Sequence, residues 1–345
     1  MSGTPDPGGP PRPEVAPAPG GPPRPEVAPA PGGPPRPEAT PAPDGPPPLE
    51  VVEYTDPLCP WAWGSEPAFR RLRAALGDRV HWRRAYAILF DDEEDDAPPD
   101  PAAETAWYAR HLADIGAVTQ APRAHRLSRV AASSWPSSLV ARAAEAQGPG
   151  TAERVLRRLR ESVFVLGEPA DTEALALRSV RGVPGLDPGR LARDAACADV
   201  RESVRADRAE ARRPVPEVYS VREESPHPGT AKETTGGEVR YALPTLLFRT
   251  PGAYRVVPGW RPYEAYAAAV DALCPGLRRE AAPLAPDRAL ERYRSLTGPE
   301  RLVLTRGAWP PPHAVRVDTA QGAVWLHPDD VQHHPAARQW TAATP

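Results

Sequence analysis

The stretch Val51-Val52-Glu53-Tyr54-Thr55-Asp56-Pro57-Leu58-Cys59-Pro60-Trp61-Ala62-Trp63 reads as a short β-strand that stops abruptly and hands over to a helix. Val51, Val52 and Tyr54 favour an extended backbone, because branched and aromatic side chains pack well on a pleated surface. Asp56-Pro57 ends the strand, since proline restricts the residue before it. Cys59 then falls at the helix N-cap and Pro60 at the first helical position, where a missing N–H costs nothing. Trp63, Phe69, Leu72 and Leu76 are expected to share one helix face, and Glu66-Pro67 to kink or restart the helix. A thiol at an N-cap meets unpaired N–H groups and the positive end of the helix dipole, which favour the nucleophilic thiolate. Apolar Trp61 and Trp63 act in the opposite sense and raise the thiol pKa. One turn on, where a Cys-x-x-Cys pair has its second sulfur, stands Ala62. The site has an attacking sulfur and no resolving partner.

Downstream, Arg79 to Ile88 has strand character, with Val80, Trp82 and Tyr86 alternating inward. The acidic run Asp91 to Asp96 is expected to be a solvated turn without chemistry. Helical patterns follow near 102–116, 137–147, 151–165, 170–181 and 187–212, separated by Gly and Pro breakers. In the last of them Leu191, Ala195, Ala198 and Val204 suggest one apolar face. Residues 214–240 are polar and rich in Pro, Gly, Thr and Glu, as a long loop or disordered insert would be. Strand character returns from Val239 to Phe248, interrupted by Pro244, and again from Tyr254 to Val257, before a helix ending near Cys274. Beyond Pro286 the pattern is a helix over Arg288–Leu296, a strand over Arg301–Thr305 and a hairpin of Ala314–Val317 with Ala323–Leu326. This small unit, about 284–340, loosely resembles a winged helix with a non-basic wing, and a structural or protein-contact role is expected. His333-His334 is too isolated for zinc, which needs three or four spaced ligands, so no metal site is expected.

Before this globular part, residues 1–48 are low complexity. Pro-Gly-Gly-Pro-Pro-Arg-Pro-Glu begins at Pro7, Pro19 and Pro31, a period of twelve. With almost nothing to bury, the segment is expected to be a disordered, solvated tail of polyproline-II character. Of 345 residues 40% are hydrophobic, enough for a core, and 50 are proline. One lysine, Lys232, stands against many arginines, which fits a GC-rich genome. A formal charge of −3 argues against a nucleic-acid partner. Three cysteines, Cys59, Cys197 and Cys274, without paired spacing argue against a secreted disulfide framework. No signal peptide or membrane-spanning run is evident, so a cytoplasmic location without membrane partners is expected.

Asp56-Pro57-Leu58-Cys59-Pro60-Trp61-Ala62-Trp63 resembles the active-site segment of the DsbA-like thioredoxin superfamily, in particular its intracellular FrnE-like branch. Leu243-Pro244-Thr245-Leu246-Leu247-Phe248 resembles the strand that carries that superfamily's cis-proline, and Ser133-Ser134-Trp135-Pro136 is similar to a segment of FrnE-like relatives. The resemblance spans about Val51 to Cys274. It implies an α/β, thioredoxin-like fold over 49–275 with a helical domain inserted at about 101–213. It also implies that Cys59 is the nucleophile, with Pro60, Trp61 and Ala62 completing the motif. Leu243 and Pro244 would form the substrate groove, where the backbone of Leu243 pairs with an incoming peptide. An ordinary trans proline at a strand entry is the alternative for Pro244. Trp135 is read either as lining that groove or as core.

Three functions are compatible with these features. In the first, Cys59 exchanges with a protein or small-molecule disulfide and an external thiol, mycothiol or glutathione, completes the cycle as co-substrate, with no bound cofactor. In the second, the groove survives as a redox-inactive, protein-binding adaptor, as in relatives that serve proteases. The third, a kappa-class glutathione transferase chemistry, needs a serine near the helix start, where this chain has Cys59, with Ser65 well inside the helix.

Overall fold

The computed structural model describes residues 48–221 and 225–334, so the proline-rich repeat lies outside the described residues. β1 (Glu50–Thr55), α1 (Pro60–Leu76) and β2 (His81–Tyr86) open the domain, with β1 and β2 parallel. An all-helical stretch follows: α2 (Pro101–Thr119), α3 (Trp135–Glu145), α4 (Pro149–Phe164), α5 (Glu173–Ser179), α6 (Pro188–Ala195) and α7 (Ala198–Ala211). The short β3 (Lys232–Glu233) and β4 (Val239–Arg240) then lead to β5 (Thr245–Arg249), β6 (Tyr254–Pro258) and α8 (Tyr263–Leu273). The main sheet has the order β2-β1-β5-β6, with β5 antiparallel to both neighbours. A β-α-β unit completed by β-β-α is the thioredoxin-like fold, and α2–α7 are inserted between its halves.

Alternation along β1 sorts the core. Val51 packs with Phe69, Leu72, Leu76, Tyr266 and Val270 of α1 and α8 on one face. Val52 and Tyr54 point to the other face and meet Ala211, Val218 and Tyr241. Trp63 does not share the face of Phe69, Leu72 and Leu76; it packs with Leu58, Leu112 and Phe164 instead. Six residues at 100° each rotate Phe69 by 240° from Trp63, so one stripe cannot hold both. Pro67 lies inside α1 without restarting it.

The helix expected over 187–212 is two helices, α6 and α7, broken at Ala196–Cys197, where Cys197 is extended. A continuous helix would place Val204 half a turn away from Ala195, nine residues earlier. The break lets Leu191, Ala195 and Val204 enter the same core. The acidic run is not wholly solvated: Asp91 is buried and accepts from Trp135 Nε1 (3.0 Å), Arg208 Nε (2.6 Å) and Arg212 (3.1 Å). Trp135 is therefore a core residue and lines no groove.

The C-terminal part holds α9 (Pro286–Tyr293), β7 (Ser295–Thr297), α10 (Gly298–Leu304), β8 (Val315–Asp318), β9 (Ala323–Leu326) and α11 (Pro328–Val331), with sheet order β7-β9-β8. The hairpin forms as expected, whereas the strand expected over Arg301–Thr305 is mostly the helix α10. Thr297 and Glu300 form a reciprocal capping box, and Pro299 follows at the start of the helix. That local chemistry outweighs the β-branched content of the segment.

Buried charge joins these parts. Arg70, Arg73, Arg84, Arg157 and Arg160 interlock with Glu53, Glu66, Glu153, Glu161 and Glu300 in one continuous set of ion pairs. Five guanidiniums balance five carboxylates, so the set is formally neutral. It ties α1, β1, β2 and α4 to α10.

Candidate active site

Asp56 builds the turn on which the site rests. Its Oδ1 accepts from the Leu58 N–H (2.7 Å) and its Oδ2 from the Leu89 N–H (2.8 Å), which joins the end of β1 to the segment after β2. The Cys59 N–H donates to the Asp56 carbonyl (3.2 Å), and Pro60 starts α1. Cys59 is the N-cap residue but makes no side-chain cap, which leaves its sulfur free to face the sheet side. There the thiol donates to the carbonyl of Leu243 at 3.6 Å. The Leu243–Pro244 peptide is cis, and the Gly259 N–H donates to the Pro244 carbonyl at 2.8 Å. Cys59, Pro60, Trp61, Leu243 and Pro244 are thus brought together, with Ala62 buried one turn along.

The thiol is not poised as a thiolate. Cys59 is only 2% exposed, and burial pushes its pKa up to about 11. The Ala62 N–H opposes the shift, the neighbouring Asp56 carboxylate adds to it, and the Trp61 N–H and Arg240 charge oppose it again. Desolvation therefore outweighs the helix N-terminus. Cys197 is exposed at the start of α7 and Cys274 caps the end of α8, so neither belongs to the cluster around Cys59. Among the described residues no group of His, Cys, Asp and Glu could hold a metal ion.

Cys59 is buried among Tyr54, Ala87, Val218, Tyr241 and Leu243, and a further segment lies beside it. The segment expected to be a loose insert turns back over the site at Ser225-Pro226-His227-Pro228-Gly229. His227 is buried, and its Nε2–H donates to the same Leu243 carbonyl at 2.9 Å. Its Nδ1 accepts from the Gly229 N–H at 3.3 Å, which fixes the neutral tautomer. Burial, with the Lys232 charge, lowers the His227 pKa to about 4, so the ring is neutral at pH 7. The Trp61 ring meets the imidazole edge to face, 5.0 Å between centroids, and Trp260 stands beyond it at 6.5 Å from Trp61. Arg261 holds the segment by donating to the His227 and Pro228 carbonyls, each at 2.7 Å. Gly229 has φ +83°, and a Cβ there would stand 2.4 Å from the Pro258 carbonyl oxygen, so only glycine fits the crossing.

Asp56, His227 and Arg240 were not singled out as site residues by the sequence. Asp56 is legible only as a strand breaker, and the Pro-His-Pro-Gly signal of His227 sits in a segment whose composition reads as loop. Asp56 has a measurable signature. Burial raises its pKa from 3.8 to about 6, against the hydrogen bonds from Leu89 and Leu58. Between those values the unfolded chain has lost a proton that the folded protein keeps. The corresponding stability is full below the lower value and lost as the pH rises through the higher one. Measured against Asp56→Asn, which does not titrate, wild-type stability is expected to fall by about 3 kcal/mol across that window in parallel urea melts. A difference that does not change with pH would contradict the buried carboxyl.

The thioredoxin family model Thioredoxin_5 matches residues 53–213. A ClpXP adapter protein SpxH of Shouchella clausii is 30% identical over 142 residues, covering 41% of this chain and 45% of the relative. The ClpXP adapter protein SpxH of Halalkalibacterium halodurans is 25% identical over 177 residues, covering 46% and 53%. The chain thus spans about half the length of the curated relatives it matches. A candidate protein disulfide isomerase of Nitrosomonas europaea, known from its crystal structure, superimposes with a TM-score of 0.50 at 13% identity, over 65% of this chain and 96% of that one. It shares the fold. The helix-capping cysteine, the cis-proline loop opposite it and the helices inserted within a thioredoxin sheet agree with these matches: the chain has a thioredoxin-like fold, and its residues 53–213 are similar to the Thioredoxin family.

Proposed function

We propose that this protein exchanges disulfides through the single thiol of Cys59, with an external thiol in place of a second cysteine. Ionised Cys59 attacks one sulfur of a protein or small-molecule disulfide, R–S–S–R′. The Cys59–S–S–R bond forms, the R–S–S–R′ bond breaks, and R′–S⁻ leaves and takes up a proton from water. The thiolate of glutathione or mycothiol then attacks the R sulfur and restores Cys59. The observation that carries this reading is the Cys59 sulfur at the start of α1, 3.6 Å from the carbonyl that precedes cis-Pro244. The proposed compartment is the reducing cytoplasm, whose thiol pool supplies the second half of the cycle.

The adaptor is a second reading, favoured by the buried thiol and by the similarity to two ClpXP adapter proteins. Intact-mass measurement after incubation with glutathione disulfide separates the two. The chain carrying Cys197→Ala and Cys274→Ala is expected to gain one glutathionyl group, and the same chain with Cys59→Ser none. Absence of the adduct even when His227→Ala uncovers the thiol would overturn disulfide exchange. A stable protein partner whose capture is indifferent to Cys59→Ala is then the expected result.

A further inference from the structure

A cavity of about 570 Å³ lies between the start of α1, α2, the 121–129 segment and the end of α4. This is the size of an ordinary small-molecule pocket. It adjoins the thiol groove at Pro60 and extends away from it: Pro60 and Trp63 line it, whereas Cys59, Leu243, Pro244 and His227 do not. Its walls are chiefly apolar, with Trp63, Leu112, Ile115, Leu127 and Phe164 among them. Its charged lining residues are all cationic, and no Asp or Glu takes part.

The state of those cations is the telling feature. Arg129 is already paired with Asp171. Arg123 and Arg126 have no carboxylate partner among the described residues, and the Arg123 Nε–H is buried without an acceptor. Arg123 Nη1 donates only to the neighbouring Ala124 carbonyl, at 3.4 Å, so an acid entering the cavity meets cationic charge that no carboxylate among the described residues neutralises. The wall that carries these arginines is also held in place. Trp63 Nε1 donates to the Pro122 carbonyl at 2.9 Å, and the Ala320 N–H of the β8–β9 turn donates to the Arg123 carbonyl at 2.8 Å. At Gly167 (φ +73°) a Cβ would come within 1.9 Å of the Arg126 carbonyl oxygen, so glycine allows the two strands of chain to touch.

We propose that this cavity binds a small apolar carboxylic acid, with its alkyl or aryl body among Trp63, Ile115 and Phe164 and its carboxylate on Arg123 and Arg126. Pro60 in the lining places the ligand beside the N-terminal end of α1, whose dipole adds to the attraction for an anion. The binding does not depend on Cys59 chemistry.

Calorimetric titration of the full chain with decanoate and with 2-naphthoate tests this, with decan-1-ol and decyltrimethylammonium as neutral and cationic counterparts. At least one of the two acids is expected to bind saturably at one site, about tenfold or more tighter than the neutral or cationic probe. Arg126→Ala, at an exposed position, is expected to weaken the acid about tenfold and to leave decan-1-ol unchanged. Ala109→Phe, which fills the cavity, is expected to abolish both, and Cys59→Ser to change neither. Saturable binding of neither acid, or acid binding that survives Arg126→Ala and a jointly altered Arg123→Ala unchanged, would overturn the proposal. Loss of acid binding in Cys59→Ser would overturn its independence from the thiol.

Discussion

Replacing Arg160 with methionine is expected to destabilise the fold by about 3–5 kcal/mol, the effect of breaking a buried ion pair by removing one partner. Arg160 is among the largest fully buried side chains. It pairs with Glu66, reaches Glu53 at 3.7 Å and donates to Thr55 Oγ1 at 2.9 Å. Methionine fills much of the volume but leaves five carboxylates facing four guanidiniums, with the excess negative charge at buried Glu53 and Glu66. Burial alone pushes Glu66 up, but Arg160, Arg73, Arg70 and Arg157 outweigh it and hold the carboxyl well below its usual range. A depressed folded pKa contributes stability above the unfolded value that is lost as the pH falls. The penalty of Arg160→Met is therefore expected at neutral pH and should shrink in acid, where Glu66 can take up a proton. Arg71→Met is the control. Its ion pairs to Glu264 and Glu280 lie at the surface, where such pairs contribute about 0–1 kcal/mol. Urea denaturation that places both variants within about 1 kcal/mol of wild type would refute the account of the network.

The second large effect concerns access to the thiol. A pKa near 11 instead of 9 reduces the thiolate fraction at pH 8 about a hundredfold. Cys59 is therefore expected to react with iodoacetamide at least that much more slowly than exposed Cys197, as followed by peptide mapping. His227→Ala removes the ring that shares the Leu243 carbonyl and packs on Trp61. Water then reaches the sulfur, desolvation falls, and the Ala62 and Trp61 N–H groups act without that opposition. The expected outcome is a rise of at least about tenfold in the rate at Cys59, with Cys197 unchanged. Equal rates at Cys59 before and after the substitution would show that something other than His227 controls the thiol.

Much of the frame was legible because it rests on local rules. Val51, Val52 and Tyr54 alternate, Asp56-Pro57 breaks the strand, and Pro60 starts a helix, so the β1–α1 corner follows from the residues themselves. Pro244 within a strand pattern pointed to the opposite wall. What could not be read is what distant segments do to one another. Cys59 looks activated from its neighbours in sequence, yet its protonation is decided by burial among distant residues such as Val218, Tyr241 and Leu243. Arg123 and Arg126 are ordinary surface residues in the sequence; only the fold reveals that no carboxylate among the described residues answers them. The α6–α7 break and the capping of α10 lay within reach of closer reading, the first through the rotation between Ala195 and Val204, the second through Thr297 and Glu300.

The ten-member ion network also bears on how the molecule comes apart. Glu300 of α10 sits between Arg70 of α1 and Arg157 of α4. Asp330 of α11 accepts from Arg158 of α4, and His334 is bonded to Glu161. Peeling the C-terminal sheet and helices away would strand four arginines and glutamates in a dry interior before any of them met water. Such an intermediate is higher in energy than either end state, so the C-terminal elements and the thioredoxin core are expected to melt as one cooperative unit.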